Sequence, residues 1–247
     1  MCFPLDLSLP DAQADLLRRL VALGKPLVLL HFSGRPTVLA WENEHVPAIM
    51  NVWFGGSELA DAIPDVLFGD KVPSGKLTVP RSLGQVPLYY NHLSTGRPVR
   101  EGEQAFRKYR SNYLDVRNDP LYPFGFGLSY TTFRYSDVAL SSTTMGPTGS
   151  VEASVTVTNT GGRDADEIVQ LYIHDRVASL SRPVKELKGF RRIRLKAGES
   201  RRVNFTITPS LLTFYNNDLR EVLDPGDFDV MIGPNSRDVK AAVLKVE

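Results

Sequence analysis

A layered α/β segment followed by an all-β sandwich is the fold class that these 247 residues predict. Three patterns carry it. Residues 26–32 and 48–54 are short, almost wholly apolar runs, each next to a stretch with helical spacing. In the second half the apolar period falls to two, with turn residues between the runs. Between these halves, residues 80–122 hold no long periodic run.

Residues 10–23 read as an amphipathic helix. Pro10 suits its first turn, Leu16, Leu17, Leu20 and Leu23 recur at helical spacing, and Gly24 supplies the stop. The run at 26–32 then reads as a strand closed by Ser33-Gly34-Arg35-Pro36. Apolar character without alternation implies burial on both faces, the habit of parallel strands covered by helices. The run at 48–54 repeats the pattern and ends at Gly55-Gly56. A helix follows, with Ser57 as N-cap, Glu58 and Asp61 at its positive end, Ala62, Val66 and Leu67 as its apolar face and Gly69 as its stop. Pro64 falls inside it, where proline costs about 3 kcal/mol, so a kink or early break is expected around residues 61–64. Two such strands bury too little to stand alone, so either further strands or the sandwich must cover the sheet edge.

Residues 80–122 are rich in proline and glycine and dense in aromatics, among them Tyr89, Tyr90, Phe106, Tyr109 and Tyr113. Connections this long line a site or join domains. Beyond Phe133, Val151, Ala153, Val155 and Val157 alternate, as do Val169, Leu171 and Ile173, then Val203, Phe205 and Ile207, then Phe228, Val230 and Ile232. Ala197-Gly198 and Pro225-Gly226 supply turns. About seven short strands over roughly 110 residues fit an immunoglobulin-like sandwich.

Composition narrows the function classes. A hydrophobic share of 42% and a charged share of 23% are those of an ordinary globular chain. A net charge of +1 gives no electrostatic ground for nucleic acid or an anionic membrane as partner. The lone Cys2 forms no internal disulfide, and no stretch nears the ~20 apolar residues of a bilayer span. The first ten residues lack the basic and apolar regions of a secretory signal, and localisation stays open.

The candidate site lies where the second strand ends, because ligands of open α/β sheets sit beyond the carboxyl ends of the strands. Gly55 and Gly56 there either make a tight turn or admit a ligand close to the backbone. Glu58 is the acidic residue at that turn, and its simplest role is to accept hydrogen bonds near the helix start. Glu42 and Glu44 read as solvated loop charges. His31, His45, His92 and His174 show no metal-ligand spacing, and His31 reads as a satisfied core residue. Residues 73–76, Pro-Ser-Gly-Lys, lack the glycine frame of a phosphate loop. Arg192, Arg194 and Lys196 read as a solvated strand face.

Residues 53–58 (Trp-Phe-Gly-Gly-Ser-Glu), 65–70 (Asp-Val-Leu-Phe-Gly-Asp) and 73–77 (Pro-Ser-Gly-Lys-Leu) resemble a signature of family 3 glycoside hydrolases, the β-glucosidase and β-xylosidase group. Residues 123–130 and 182–190 are similar to two further motifs of that family, in the family's order. The resemblance implies a partial three-layer α/β sandwich domain with connecting loops over residues 1–118, and a fibronectin type III-like domain over 119–247. It also implies a retaining, exo-acting β-glycosidase acting on a β-linked oligosaccharide or glucoside, without metal or cofactor. The family's nucleophile lies on an N-terminal barrel and its acid/base glutamate precedes the segment resembling residues 5–13, so no catalytic residue is assigned here. Trp53, Glu58 and Arg110 are the candidate substrate-binding residues. A non-catalytic carbohydrate-binding module, a split subunit needing a barrel-bearing partner, and self-association through an exposed sheet remain open.

Overall fold

The computed structural model describes residues 7–79, 93–95 and 119–247. Their contacts divide them into two compact units. The first holds residues 7–70, 79 and 119–123, and the second holds 71–78, 93–95 and 124–247.

In the first unit the order is α1 (Asp11–Ala22), β1 (Val28–His31), α2 (Ala40–His45), β2 (Ala48–Asn51) and α3 (Leu59–Leu67). Pro10 sits just outside α1, and its carbonyl accepts the Gln13 and Ala14 N–H groups at 2.8 and 3.0 Å. Gly24, with φ of +64°, ends the helix. The two strands pair in parallel from Val28↔Ala48 to His31↔Asn51, as the apolar runs predict. Burial on both faces is not what they show. Of the eight strand residues only His31 is buried, and Leu17, Leu39 and Val46 are the buried hydrophobic side chains among the described residues of this unit. A two-stranded sheet has too few neighbours to enclose its own side chains, and Leu16, Leu23 and Phe68 stand 57%, 67% and 81% exposed.

The expected solvated loop at residues 41–44 is the short helix α2. Leu39, Glu42 and Val46 recur at helical spacing and are all buried, so Glu42 is not a solvent charge, while Glu44 is exposed. Trp41 stacks on His45 with centroids 4.4 Å apart, and the Arg18 guanidinium of α1 lies 5.7 Å over the same indole.

The second unit carries β3 (Phe133–Tyr135), β4 (Ala139–Leu140), β5 (Thr144–Met145), β6 (Val151–Asn159), β7 (Ala165–Asp175), β8 (Glu186–Leu195), β9 (Ser200–Ile207), the single turn α4 (Pro209–Leu212), β10 (Phe214–Tyr215), β11 (Glu221–Val222), β12 (Gly226–Gly233) and β13 (Lys240–Val246). One sheet runs β5-β13-β12-β7-β8. In the other, β3 and β4 flank one edge of β6 while β9 pairs antiparallel along the opposite edge. All four alternating sets named from the sequence face the shared interior. Outward, Arg192 meets Asp166 at 2.5 Å, and Arg194 and Lys196 are exposed, the solvated face that alternation predicts.

Residues 71–78 are fixed to this sandwich. Leu77 exchanges backbone hydrogen bonds with Phe126 and Gly125, each 2.7 Å, and a Cβ on Gly127 would run into the Gly75 carbonyl. The Lys76 ammonium reaches the buried Glu167 carboxylate at 3.2 Å, which also accepts the Tyr135 hydroxyl at 2.9 Å. Gly125, with φ of +78°, packs on Gln170, whose amide nitrogen donates to the Gly125 and Pro234 carbonyls at 3.2 and 2.6 Å. The Tyr172 hydroxyl donates to the same side chain's oxygen at 2.5 Å.

Burial pushes the Glu167 carboxyl above its ordinary 4.5, against the pull of Lys76 and Tyr135. The folded chain therefore keeps a proton that the unfolded chain has lost. This group's contribution to stability is largest below pH 4.5 and is lost as pH rises through the folded value. Urea unfolding followed by far-UV circular dichroism should show the sandwich weakening over that range, with the slope removed in Glu167→Gln. Lys76→Ala, which leaves a buried carboxylate without its cation, should cost about 3–5 kcal/mol near neutral pH.

Both tryptophans, Trp41 and Trp53, belong to the first unit, so indole emission reports it alone. With so much more core in the sandwich, the emission midpoint in urea should fall below the β-structure midpoint. Phe228→Ala should lower only the latter, by about 3–5 kcal/mol. Coincident transitions would contradict this.

Candidate functional site

The chain leaves β2 in a turn that is held from beneath. His31 is buried at the end of β1, with Nδ1 2.9 Å from the Asn51 amide oxygen and Nε2 3.0 Å from the Thr37 hydroxyl. An amide oxygen only accepts, so the assigned network puts an imidazole proton on Nδ1. His31 is thus a satisfied core residue that clamps the carboxyl ends of both strands. The Val52 N–H donates to the His31 carbonyl at 3.0 Å and carries the pairing one step further.

Trp53 comes next, with φ of +57°. Left-handed backbone costs a bulky residue about 1–2 kcal/mol, and such outliers gather at ligand sites. Nothing in the local sequence marks it, because Gly55 and Gly56 invite the assumption that they absorb the turn. Neither glycine has positive φ. Gly55 is required for another reason: a Cβ there would lie 2.7 Å from the Leu59 side chain. Gly56 faces open space, and its carbonyl accepts the Leu59 N–H at 3.1 Å. The Phe54 ring lies over Gly34, where a Cβ would come within 2.5 Å of it, so the two strand-end loops pack through a glycine.

The cap of α3 falls on Glu58 rather than Ser57. The Glu58 carbonyl accepts the Asp61 and Ala62 N–H groups at 3.2 and 3.0 Å, but its side chain makes no capping hydrogen bond and the residue is exposed. The expected structural role for its carboxylate is therefore absent. Pro64 does not break the helix, which runs unbroken from Leu59 to Leu67. Only the Ala60 carbonyl loses its i+4 donor, and Ala60 and Pro64 both face solvent, where water replaces the bond. The half-buried face of α3 uses Leu59, Ile63, Val66 and Leu67, while Ala62 is exposed.

The structure thus places Trp53 and Glu58 on one short turn at the carboxyl end of the sheet. Arg110 and the aromatics at 89, 90, 106, 109 and 113 lie outside the described residues. Sequence reasoning missed the strained backbone of Trp53 and the burial of Glu42. The spacing of Leu39, Glu42 and Val46 could have found the second. Among the described residues no cluster of three His, Cys, Asp or Glu side chains could hold a metal ion, and no helix is long and apolar enough to cross a membrane.

Comparison with known proteins bears on this turn directly. Residues 5–130 match the glycosyl hydrolase family 3 C-terminal domain, and residues 167–236 match a fibronectin type III-like domain. The chain is 52% identical, over 95% of its length, to a periplasmic β-glucosidase of Salmonella typhimurium, of which it covers 31%. It is 40% identical, over 98%, to a β-xylosidase of Formosa agariphila, covering 33% of it. Among solved structures, a β-glucosidase of Listeria innocua in complex with glucose superposes with a TM-score of 0.90 at 40% identity, covering 98% of this chain and 34% of that one. The chain therefore spans about a third of the relatives it matches. With its glycine-containing turn after the second strand and its sandwich, the chain belongs to the family 3 glycoside hydrolases and corresponds to their C-terminal portion.

Proposed function

We propose that these residues serve an exo-acting, retaining β-glycosidase of the β-glucosidase type, with Trp53, Glu58 and Arg110 in its sugar-binding wall and the sandwich as its brace. The observation that carries this reading is the identity of 52% to a β-glucosidase across nearly the whole chain. The turn's chemistry supports it: Trp53, on a left-handed backbone, carries an indole with an apolar face for a sugar ring, and the Glu58 carboxylate on the same turn has no capping duty to compete with a sugar hydroxyl. On this reading both members of the carboxylate pair that retaining hydrolysis needs, about 5–5.5 Å apart, are supplied by residues outside these 247. We place the junction between the α/β portion and the sandwich domain at residues 118/119.

Purified residues 1–247 should therefore leave an aryl β-glucoside uncut. Turnover that persists after contaminating enzyme is excluded would refute the assignment. A barrel-bearing protein that co-purifies with the chain, with activity only on mixing, would identify a separately encoded partner. In the assembled enzyme, Glu58→Gln should raise KM about tenfold or more, the loss of one charge-assisted hydrogen bond, with kcat little changed. An unchanged KM would remove Glu58 from the wall.

A further inference from the structure

The two strands of the first unit run parallel, so the loop after β1 and the turn after β2 leave the same end of the sheet, and the Phe54 ring over Gly34 joins them. Arg35 is the next residue along that loop. Its backbone is held from both sides. The Ser33 hydroxyl donates to the Arg35 carbonyl at 2.7 Å and accepts the Arg35 N–H at 3.2 Å, and the following Pro36 keeps Arg35 out of helical backbone. Two residues on, the buried Thr37 hydroxyl meets the His31 ring at 3.0 Å and closes the loop onto the strand end.

The Arg35 side chain is half-buried, yet among the described residues its guanidinium meets no hydrogen-bond acceptor, carboxylate or aromatic ring. Arg18, Arg176, Arg182, Arg192 and Arg201, by contrast, each meet a carboxylate at 2.9 Å or less. A guanidinium has N–H donors and no acceptor, so one held part-way out of water on a fixed loop is ready to donate. Glu58, on the joined turn, only accepts, and its carboxylate is also without a partner among the described residues. These two charges decide the class of ligand. Glu58 opposes an anion and Arg35 opposes an amine. Adjacent hydroxyls of a neutral sugar can donate to the one and accept from the other, and the Trp53 indole on the same turn suits the apolar face of the ring.

We propose that Arg35 is a further sugar-contacting residue, its guanidinium donating to oxygens of a neutral sugar whose neighbouring hydroxyl donates to Glu58. That the ligand is a sugar rests on the glycosidase reading above.

Kinetics of the assembled enzyme on an aryl β-glucoside and an aryl β-glucuronide, with the thermal midpoint read with and without glucose, test it. Arg35→Met keeps the apolar stem and removes the donors. It should raise KM for the glucoside about tenfold or more with kcat little changed, and remove most of the rise in midpoint that glucose produces. The sugar-free midpoint should stay within about 2 °C of the parent. Arg35→Lys, which keeps the charge without the planar fork, should fall between the two, and it carries the test should the methionine variant fail to fold. Arg194→Met, on the solvated face of β8, should match the parent. A lowered sugar-free midpoint with KM unchanged would make Arg35 a brace for the fold and overturn the proposal. An unchanged KM with an unchanged glucose shift, or a parent that prefers the glucuronide, would overturn it too. Loss of the glucose shift in Arg35→Met, in an enzyme whose parent cleaves neither glycoside, would uphold Arg35 while refuting the glycosidase reading.

Discussion

A carboxylate buried without a counter-charge is among the costliest things a fold can contain, and Glu167 makes that cost a constraint on the chain. Its side chain is 4% exposed, and among the described residues Lys76 and Tyr135 reach it with a charge and a hydroxyl. Because Lys76 lies 91 residues earlier, meeting the demand brings the segment after α3 onto the sandwich. The backbone exchange of Leu77 with residues 125 and 126, and the glycine contact at 75 and 127, follow from that placement. Two of the motifs by which the family is recognised are thus two sides of one contact. Residues 73–77 serve the fold, not a phosphate.

The sandwich was the most legible part of the chain, for a physical reason. Side chains alternate across a pleated strand, and where one face is sealed and the other wet, composition must alternate as well. Val151, Ala153, Val155 and Val157 alternate with polar residues in this way, while β12 departs from it at Met231, which is buried between Val230 and Ile232. The strands β3, β4 and β5, of two or three residues, are too short to display a period. Helix α2 is hard to read for a related reason, six residues with a glutamate on their buried side, and only the spacing of Leu39, Glu42 and Val46 marks it.

The candidate site was legible in position but not in geometry. The apolar run and the glycines located the turn at the end of β2, yet which residue carries the left-handed backbone depends on contacts between loops that are distant in sequence, such as Phe54 on Gly34. Pro64 shows the converse. Its penalty is real in a buried helix, but the exposed side of α3 lets water take the freed carbonyl, and the helix passes through it. Local rules failed at both places because solvent access and tertiary neighbours were the deciding variables.

Gln170 has one arrangement open to it. Its amide nitrogen faces two carbonyls and its amide oxygen accepts from a phenol, so reversing the amide would set its oxygen against both carbonyls, which only accept. Glutamate matches it in shape yet would turn a lone-pair-bearing oxygen toward Gly125 and Pro234. This position therefore discriminates by polarity where volume cannot, and slow deamidation of the single side chain would loosen the hairpin loop at 234 and the turn at 125 together.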